Sequence, residues 1–162
     1  MQDKEIHTLG RNQIILAALA IFVGSFFGTA VVCRSALISG IEVPGFFCAE
    51  ITIIMPWSDD GGKLLHEHPL GYVATLLSGW INLIFVAAVI LLLNGRHRRL
   101  AHVLRIALLL IFPACWIVFF YQNMRPGYAY FLWTAAMLLA LFSSSFSNLL
   151  VRAALARSVD LA

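Results

Sequence analysis

Charged side chains are scarce in this sequence, and the central parts of its long apolar runs have none. Asp, Glu, Lys and Arg make up 12% of the 162 residues, whereas apolar residues make up 61%. Soluble domains are about a quarter charged and about half apolar. Ionisable residues inside a membrane mark proton relays and ion paths. Their absence argues against a pump or a proton-coupled carrier formed by this chain alone.

Groupings that carry enzyme chemistry are also missing. The chain has three cysteines but no CxxC motif, which argues against a thiol oxidoreductase. It contains no phosphate-binding loop and no recognisable nucleophile–base pair. A haem between helices needs histidines within the apolar runs, but His68 and His102 lie at opposite ends of them. We therefore expect no enzyme activity and no cofactor.

Four long apolar runs dominate what is present. Ile14–Val32 is uncharged over nineteen residues, and Pro69–Leu93 is longer. A helix of about 20 residues crosses a hydrocarbon core of about 30 Å. The first run exceeds the apolar part of a cleaved signal peptide, which favours a retained helix. The sequence predicts an all-α fold, a four-helix transmembrane bundle in a single domain (1–162), with helices over about 12–36, 69–94, 100–121 and 127–156.

Basic residues predict the orientation of these helices. Arg96, Arg98 and Arg99 directly follow the second run, and a short basic loop beside a span marks the cytoplasmic side. Placing both termini inside leaves eight basic residues inside and three outside, which sum to the 11 in the chain. The eight are Lys4, Arg11, Arg96, Arg98, Arg99, Arg105, Arg152 and Arg157. We expect an N-in, C-in multi-pass protein, and we expect no nucleic-acid partner.

The predicted outer loop, 37–68, joins the first two helices. It is net acidic, yet its middle part, Pro44–Trp57, is rich in aromatic and branched apolar residues. Such a segment favours the membrane interface, with a short helix starting near Pro44. His66 and His68 flank Glu67 and are weak candidate ligands for zinc. A solvated helix entry explains them better, so no metal site is predicted.

Two of the cysteines fall on the predicted outer side. Cys33 and Cys48 are separated by few enough residues for a disulfide to close between them, and a bacterial envelope is an oxidising compartment. The alternative is two free thiols. Cys115 lies within the third run, where it is expected to be inert packing.

Small and polar residues within the runs predict helix packing. Gly24 and Gly28 form a GxxxG pattern, and a small face on the fourth helix includes Ala140, Ser144 and Asn148. Small residues let helices approach closely in lipid, so we expect the first and fourth helices to pack together. Dimerisation through the glycines is the alternative. Asn82 is expected to hydrogen-bond between helices, with a polar path as its alternative.

Three short motifs together resemble a known group of proteins. They are Gly45-Phe46-Phe47-Cys48, Gly79-Trp80-Ile81-Asn82 and Gly127-Tyr128-Ala129-Tyr130-Phe131-Leu132-Trp133. The chain is similar in these motifs to a group of small uncharacterised bacterial four-helix integral membrane proteins. The resemblance implies the bacterial cytoplasmic (inner) membrane as location and implies no known activity.

These observations predict a non-enzymatic membrane protein that acts by binding. Its environment is the lipid bilayer, and its partner is a membrane or periplasmic protein, as for an accessory subunit or an immunity-type protein. The alternative is an oligomeric small-molecule transporter or channel, for which a homo-oligomer is required because one small bundle has little interior. A thiol or metal enzyme at the outer face is the third class.

Overall fold

The computed structural model describes residues 2–34, 39–95, 97–121 and 124–150. The chain is mostly helical, as the sequence predicted. In chain order the elements are α1 (Gln2–Ser25), β1 (Thr29–Arg34), β2 (Ser39–Pro44), α2 (Gly45–Ile54), a 3-10 turn (Met55–Trp57), α3 (Asp59–Glu67), α4 (Pro69–Asn94), α5 (Arg98–Tyr121), β3 (Met124–Pro126), α6 (Tyr128–Leu141) and α7 (Ser143–Leu150).

Helix α4 shows how local sequence sets the helix ends. Pro69 occupies the first helical position, where its missing N–H costs nothing. Gly95 follows the last residue with a φ of 65°, a left-handed conformation that glycine adopts freely, and its N–H bonds the carbonyl of Leu91. The helix therefore has the bounds, 69–94, that the sequence predicted.

Two described helices are long and apolar enough to cross a membrane. They are α4 and the segment Arg99–Phe119 of α5. A third span is present if α6 and α7 count as one, although they meet at an angle of 73°. The prediction of membrane-length apolar helices is thus confirmed for two or three of the four runs. The apolar part of α1, Leu9–Ser25, is shorter.

The first helix was predicted too far along the chain, since it spans Gln2–Ser25 rather than about 12–36, and the all-α expectation is wrong at this point. Helix α1 ends at Ser25 rather than near residue 36, and Thr29–Arg34 forms the central strand of a three-stranded sheet with order β2-β1-β3. Both pairings are antiparallel, with Val31 opposite Val43 and Pro126. The sequence Thr-Ala-Val-Val-Cys-Arg is rich in β-branched residues, and an apolar run this short does not distinguish strand from helix by its periodicity.

The predicted outer loop, 37–68, is also more ordered than a loop. It contributes β2, α2, the 3-10 turn and α3, and its first helix begins directly after Pro44, near the predicted start. Helix α2 lies on α4 at close range. A Cβ atom added at Gly79 would lie only 2.6 Å from the carbonyl oxygen of Thr52. We call the end of the molecule that carries the sheet, α2 and α3 the sheet end, and the opposite end the basic end.

Packing of the long helices joins α4 to α5 and α1 to α6, with a smaller contact between α1 and α4. The rings of Phe22 on α1 and Phe85 on α4 pack at a centroid distance of 4.5 Å, with their planes tilted by 33°. The fully buried side chains at this centre include Ile15, Ile81, Phe85, Ala136 and Met137. These residues come from α1, α4 and α6, so the core holds the three helices together.

The first helix does lie against the predicted fourth helix, since α1 contacts α6, but only one of the two predicted glycines makes a close contact there. A Cβ atom at Gly24 would meet nothing within 4 Å, and Gly28 lies in the bend after α1, where an added Cβ would meet Tyr128 and Ala129. The small face of the last helix is also interrupted. Ala140 is buried as predicted, but Ser144 is half-buried and Asn148 is exposed, because the chain bends after Leu141.

The two helical glycines Gly79 and Gly24 form a matched pair for a stability test. Gly79→Ala forces a methyl group against the Thr52 carbonyl and is expected to cost about 1–3 kcal/mol. Gly24→Ala meets open space and is expected to be neutral or to stabilise by about 0.5–1 kcal/mol, because alanine favours helix. Denaturant unfolding in mild detergent measures both. Equal effects at the two positions would contradict the docking of α2 on α4.

Candidate functional site: an apolar cavity at the sheet end

A cavity of about 180 Å³ lies between the sheet, α2 and the adjoining parts of α4, α5 and α6. Its lining is mostly apolar and comes from every one of these elements. An apolar protein cavity of about 150 Å³ is large enough to hold benzene. The space therefore suits a group the size of an aromatic ring or a short alkyl chain.

Backbone contacts at both ends of α2 keep this cavity open. At its start, a Cβ atom on Gly45 would lie 2.6 Å from the carbonyl oxygen of Ser25, and the Gly45 N–H bonds the carbonyl of Gly28 at 3.0 Å. Near its end, Thr52 lies against Gly79. The helix is thus held over the ends of its neighbours. The side chains between these two contacts include Ala49, which is too small to fill the gap beneath.

One interhelix hydrogen bond crosses the wall of the cavity. The indole Nε1 of Trp133 on α6 donates to Oδ1 of Asn82 on α4 at 2.8 Å. Both residues line the cavity, and Trp133 is buried. The Oδ1 atom of Asn82 therefore joins two helices. Such a bond is worth on the order of 1 kcal/mol within a membrane.

Tyr130 provides a polar atom without a partner. Its ring packs against Trp116, Phe119 and Trp133, with centroid distances of 5.1, 4.7 and 5.2 Å. Its hydroxyl is buried and has no hydrogen-bond partner among the described residues. Burying such a group without a bond costs free energy. The aromatic cluster packs around this ring, which forms part of the cavity wall.

Two thiols line the same cavity, which sequence reasoning did not foresee. Cys48 lies on α2, with its Sγ 4.0 Å from the carbonyl oxygen of Val43, and Cys115 lies on α5, with its Sγ 4.0 Å from that of Ile111. No disulfide is seen among the side chains that the structure describes. The side chain of Cys33 lies outside them, although its backbone pairs with Met124 in the sheet. The pairing of Cys33 with Cys48 stays a prediction.

The candidate metal ligands lie away from the cavity. His66 is in the last turn of α3, His68 is in the linker to α4, and both are exposed. Within the described ranges, no three His, Cys, Asp or Glu side chains lie together in a way that could hold a metal ion. His68 caps the start of α4, since its backbone carbonyl accepts a hydrogen bond from the N–H of Tyr72 at 3.0 Å.

Comparisons with known proteins add no family to these observations. No family model matches this chain, and no curated protein or solved structure matches it significantly. The resemblance to small bacterial membrane proteins therefore stays a prediction, and the case for function depends on the geometry of the chain itself.

Substitutions at Tyr130 and Asn82 test the polar groups of the cavity wall. Tyr130→Phe removes an unpaired buried hydroxyl and is expected to be neutral or to stabilise by up to about 1 kcal/mol. Asn82→Ala leaves the buried indole N–H of Trp133 without its acceptor and is expected to cost about 1–2 kcal/mol. Thermal unfolding in detergent measures the stability of both variants and distinguishes the two expected effects. Similar losses at both positions would show that the Tyr130 hydroxyl has a partner.

Proposed function

We propose that this chain is a non-enzymatic integral membrane protein of the bacterial cytoplasmic membrane that acts by binding a partner at the sheet end. In this proposal, α1, α4, α5 and the bent α6–α7 pair form a four-helix transmembrane bundle with both termini in the cytoplasm. The sheet end then faces outwards. The observation that carries the proposal is the apolar cavity, which the contacts of α2 keep open.

The distribution of exposed apolar side chains supports a lipid environment. Leu16 and Val23 on α1, Leu83 on α4 and Leu110 on α5 are among many large apolar side chains that are at least half exposed. Soluble monomers rarely expose continuous apolar patches of more than a few hundred Å². Because α1 carries such residues as well as α4 and α5, lipid contact along all three helices is a consistent explanation.

The surface of α2 supports a protein partner for the cavity. None of the residues of α2 is fully buried, and Phe46, Phe47, Ile51 and Ile54 are exposed, of which Ile51 also lines the cavity. An apolar anchor side chain from a partner would fill the cavity, while the exposed residues of α2 would pack around it. Interfaces of this kind take most of their affinity from a few anchors in well-packed pockets.

An oligomeric transporter or channel stays the alternative prediction. A transport path for polar molecules needs open polar groups, whereas Asn82 is bonded to Trp133 and the cavity lining is mostly apolar. These observations favour binding over transport. Purification in mild detergent separates the two, since a second protein at stoichiometric yield supports binding and a homo-oligomer supports transport.

Reporter fusions test the proposed topology. Fusions at Gly95 and at the C-terminus are expected to report the cytoplasm, and a fusion at Asp60 is expected to report the outside, because basic turns remain inside. Activity of a periplasmic reporter at Gly95 would overturn the orientation and, with it, the outward position of the cavity.

Two substitutions of alanine by phenylalanine, one inside the cavity and one outside it, test the cavity. Ala49 lines it, so Ala49→Phe fills the space that the anchor needs and is expected to lower recovery of the co-purifying partner about ten-fold or more. Ala87 is exposed on the outside of α4, so Ala87→Phe adds the same group at a surface position and is expected to retain the partner. Quantitative mass spectrometry of purified samples measures recovery. Equal recovery with both variants would exclude the cavity as the binding site.

A further inference from the structure

The break between α6 and α7 leaves backbone groups that need hydrogen-bond partners from the surrounding residues. The helix direction changes by 73° after Leu141, within a segment that otherwise qualifies as a membrane span. A break leaves the last carbonyls of one helix and the first N–H groups of the next without their helical partners. Arg105 on α5 meets part of this demand, because its guanidinium donates to the carbonyl oxygen of Leu141. One donor is used there, whereas a guanidinium has five.

A second arginine reaches the same region from α1. The Nη2 atom of Arg11 donates to the carbonyl oxygen of Leu92 at 3.4 Å and to Oδ1 of Asn12 at 3.3 Å, whereas its Nε is buried without a hydrogen-bond partner among the described residues. Arg11 lies close enough to Arg105 for the two positive charges to repel each other. Holding two half-buried cations together costs free energy unless an anion compensates them.

No described carboxylate supplies that anion. The acidic side chains that the structure describes belong to β2, α2 and α3 at the sheet end: Glu42, Glu50, Asp59, Asp60 and Glu67. The basic end therefore has a positive pair whose counter-ion is not among these groups.

Ser143 adds a third donor beside the break. It is the first residue of α7, its side chain is fully buried, and its hydroxyl has no hydrogen-bond partner among the described residues. One helical turn further on, the hydroxyl oxygen of Ser147 lies 3.3 Å from where a Cβ of Gly10 would be. Gly10 directly precedes Arg11, so this contact brings the first turns of α7 to the part of α1 that carries the arginine.

We propose that the break between α6 and α7 binds one phosphate-type oxyanion between the guanidinium groups of Arg11 and Arg105, with the hydroxyl of Ser143 as a further donor. Guanidinium forks match the geometry of phosphate oxygens, and the N-terminus of a helix favours an anion. The site is at the basic end, away from the cavity, and does not depend on the function proposed for the cavity.

The depth of the site suits the phosphate of a membrane lipid. Arg105 lies seven residues after the start of α5, which is about 10 Å along the helix. The 24 residues of α5 rise about 36 Å, which exceeds a hydrocarbon core of about 30 Å. A long arginine side chain at this depth reaches the level of the headgroups. Inorganic phosphate offers the same chemistry, so the experiment must separate the two sources.

Thermal unfolding of the full-length protein in uncharged detergent tests the proposal. The probes are phosphatidylglycerol and inorganic phosphate, the latter with chloride at matched ionic strength as the control. We expect a saturable rise in Tm with at least one probe. Arg11→Gln and Arg105→Gln are each expected to raise the half-saturating concentration about ten-fold or more, because each removes a charge-assisted hydrogen bond. Arg99→Gln makes the same charge change at an exposed position of the basic end and is expected to leave the concentration unchanged.

The outcomes distinguish the sources and can overturn the proposal. A response to phosphatidylglycerol alone assigns the site to a lipid headgroup, and a response to inorganic phosphate assigns it to a small anion. Should Arg105→Gln fail to fold, Arg11→Gln and Ser143→Ala still test the site, and Ser143→Ala is expected to weaken the response without lowering the Tm of the protein alone. No saturable response to either probe, or an equal loss with Arg99→Gln, would overturn the site. Ala49→Phe is expected to leave the response unchanged, which separates this site from the cavity.

Discussion

Close backbone approach at three glycines is the constraint on which the sheet end depends. Gly45 lies against the carbonyl of Ser25, Gly79 against that of Thr52, and Gly127 against that of Thr29. A side chain at Gly45 would push α2 away from α1, and one at Gly79 would push α4 away from α2. A side chain at Gly127 would push the start of α6 away from β1. Because these contacts fix α2 and the sheet over the helix ends, they also help to set the size of the cavity, which the small side chain of Ala49 on α2 does not fill.

Local sequence predicted the parts of the fold that local physics decides. Helix α4 has a long apolar run, a proline at its start and a glycine after its end, and each signal acts within a few residues. The strand after α1 was missed because Thr29–Arg34 continues an apolar run, and its strand conformation depends on pairing with β2 and β3 from distant parts of the chain. The break after Leu141 has neither proline nor glycine. Its available signal was the run Ser143-Ser144-Ser145, since serine side chains compete with helical hydrogen bonds.

The residues of the two sites also divide into those that local sequence makes recognisable and those whose role depends on distant contacts. Asn82 was recognisable as a polar group within an apolar helix, but its partner, Trp133, lies 51 positions away. The cavity has no sequence signature, because it is the space that several elements fail to fill. Cys115 was interpreted as inert packing and Arg105 as one of the basic residues on the inner side. Their positions beside the cavity and beside the helix break follow from tertiary contacts that no spacing within one helix encodes.

The helix break and the arginine beside it explain each other. Lipid offers no hydrogen bonds, so a span can break only where protein groups satisfy the freed backbone atoms. Arg105 supplies a donor to the Leu141 carbonyl at this point, and its positive charge also suits the negative end of the α6 dipole. The central parts of α4 and α5 have no charged side chain, and both helices are unbroken there, so their backbone needs no such partner. Arg105 therefore meets part of the demand of the break with one of its donors, from a position near the basic end.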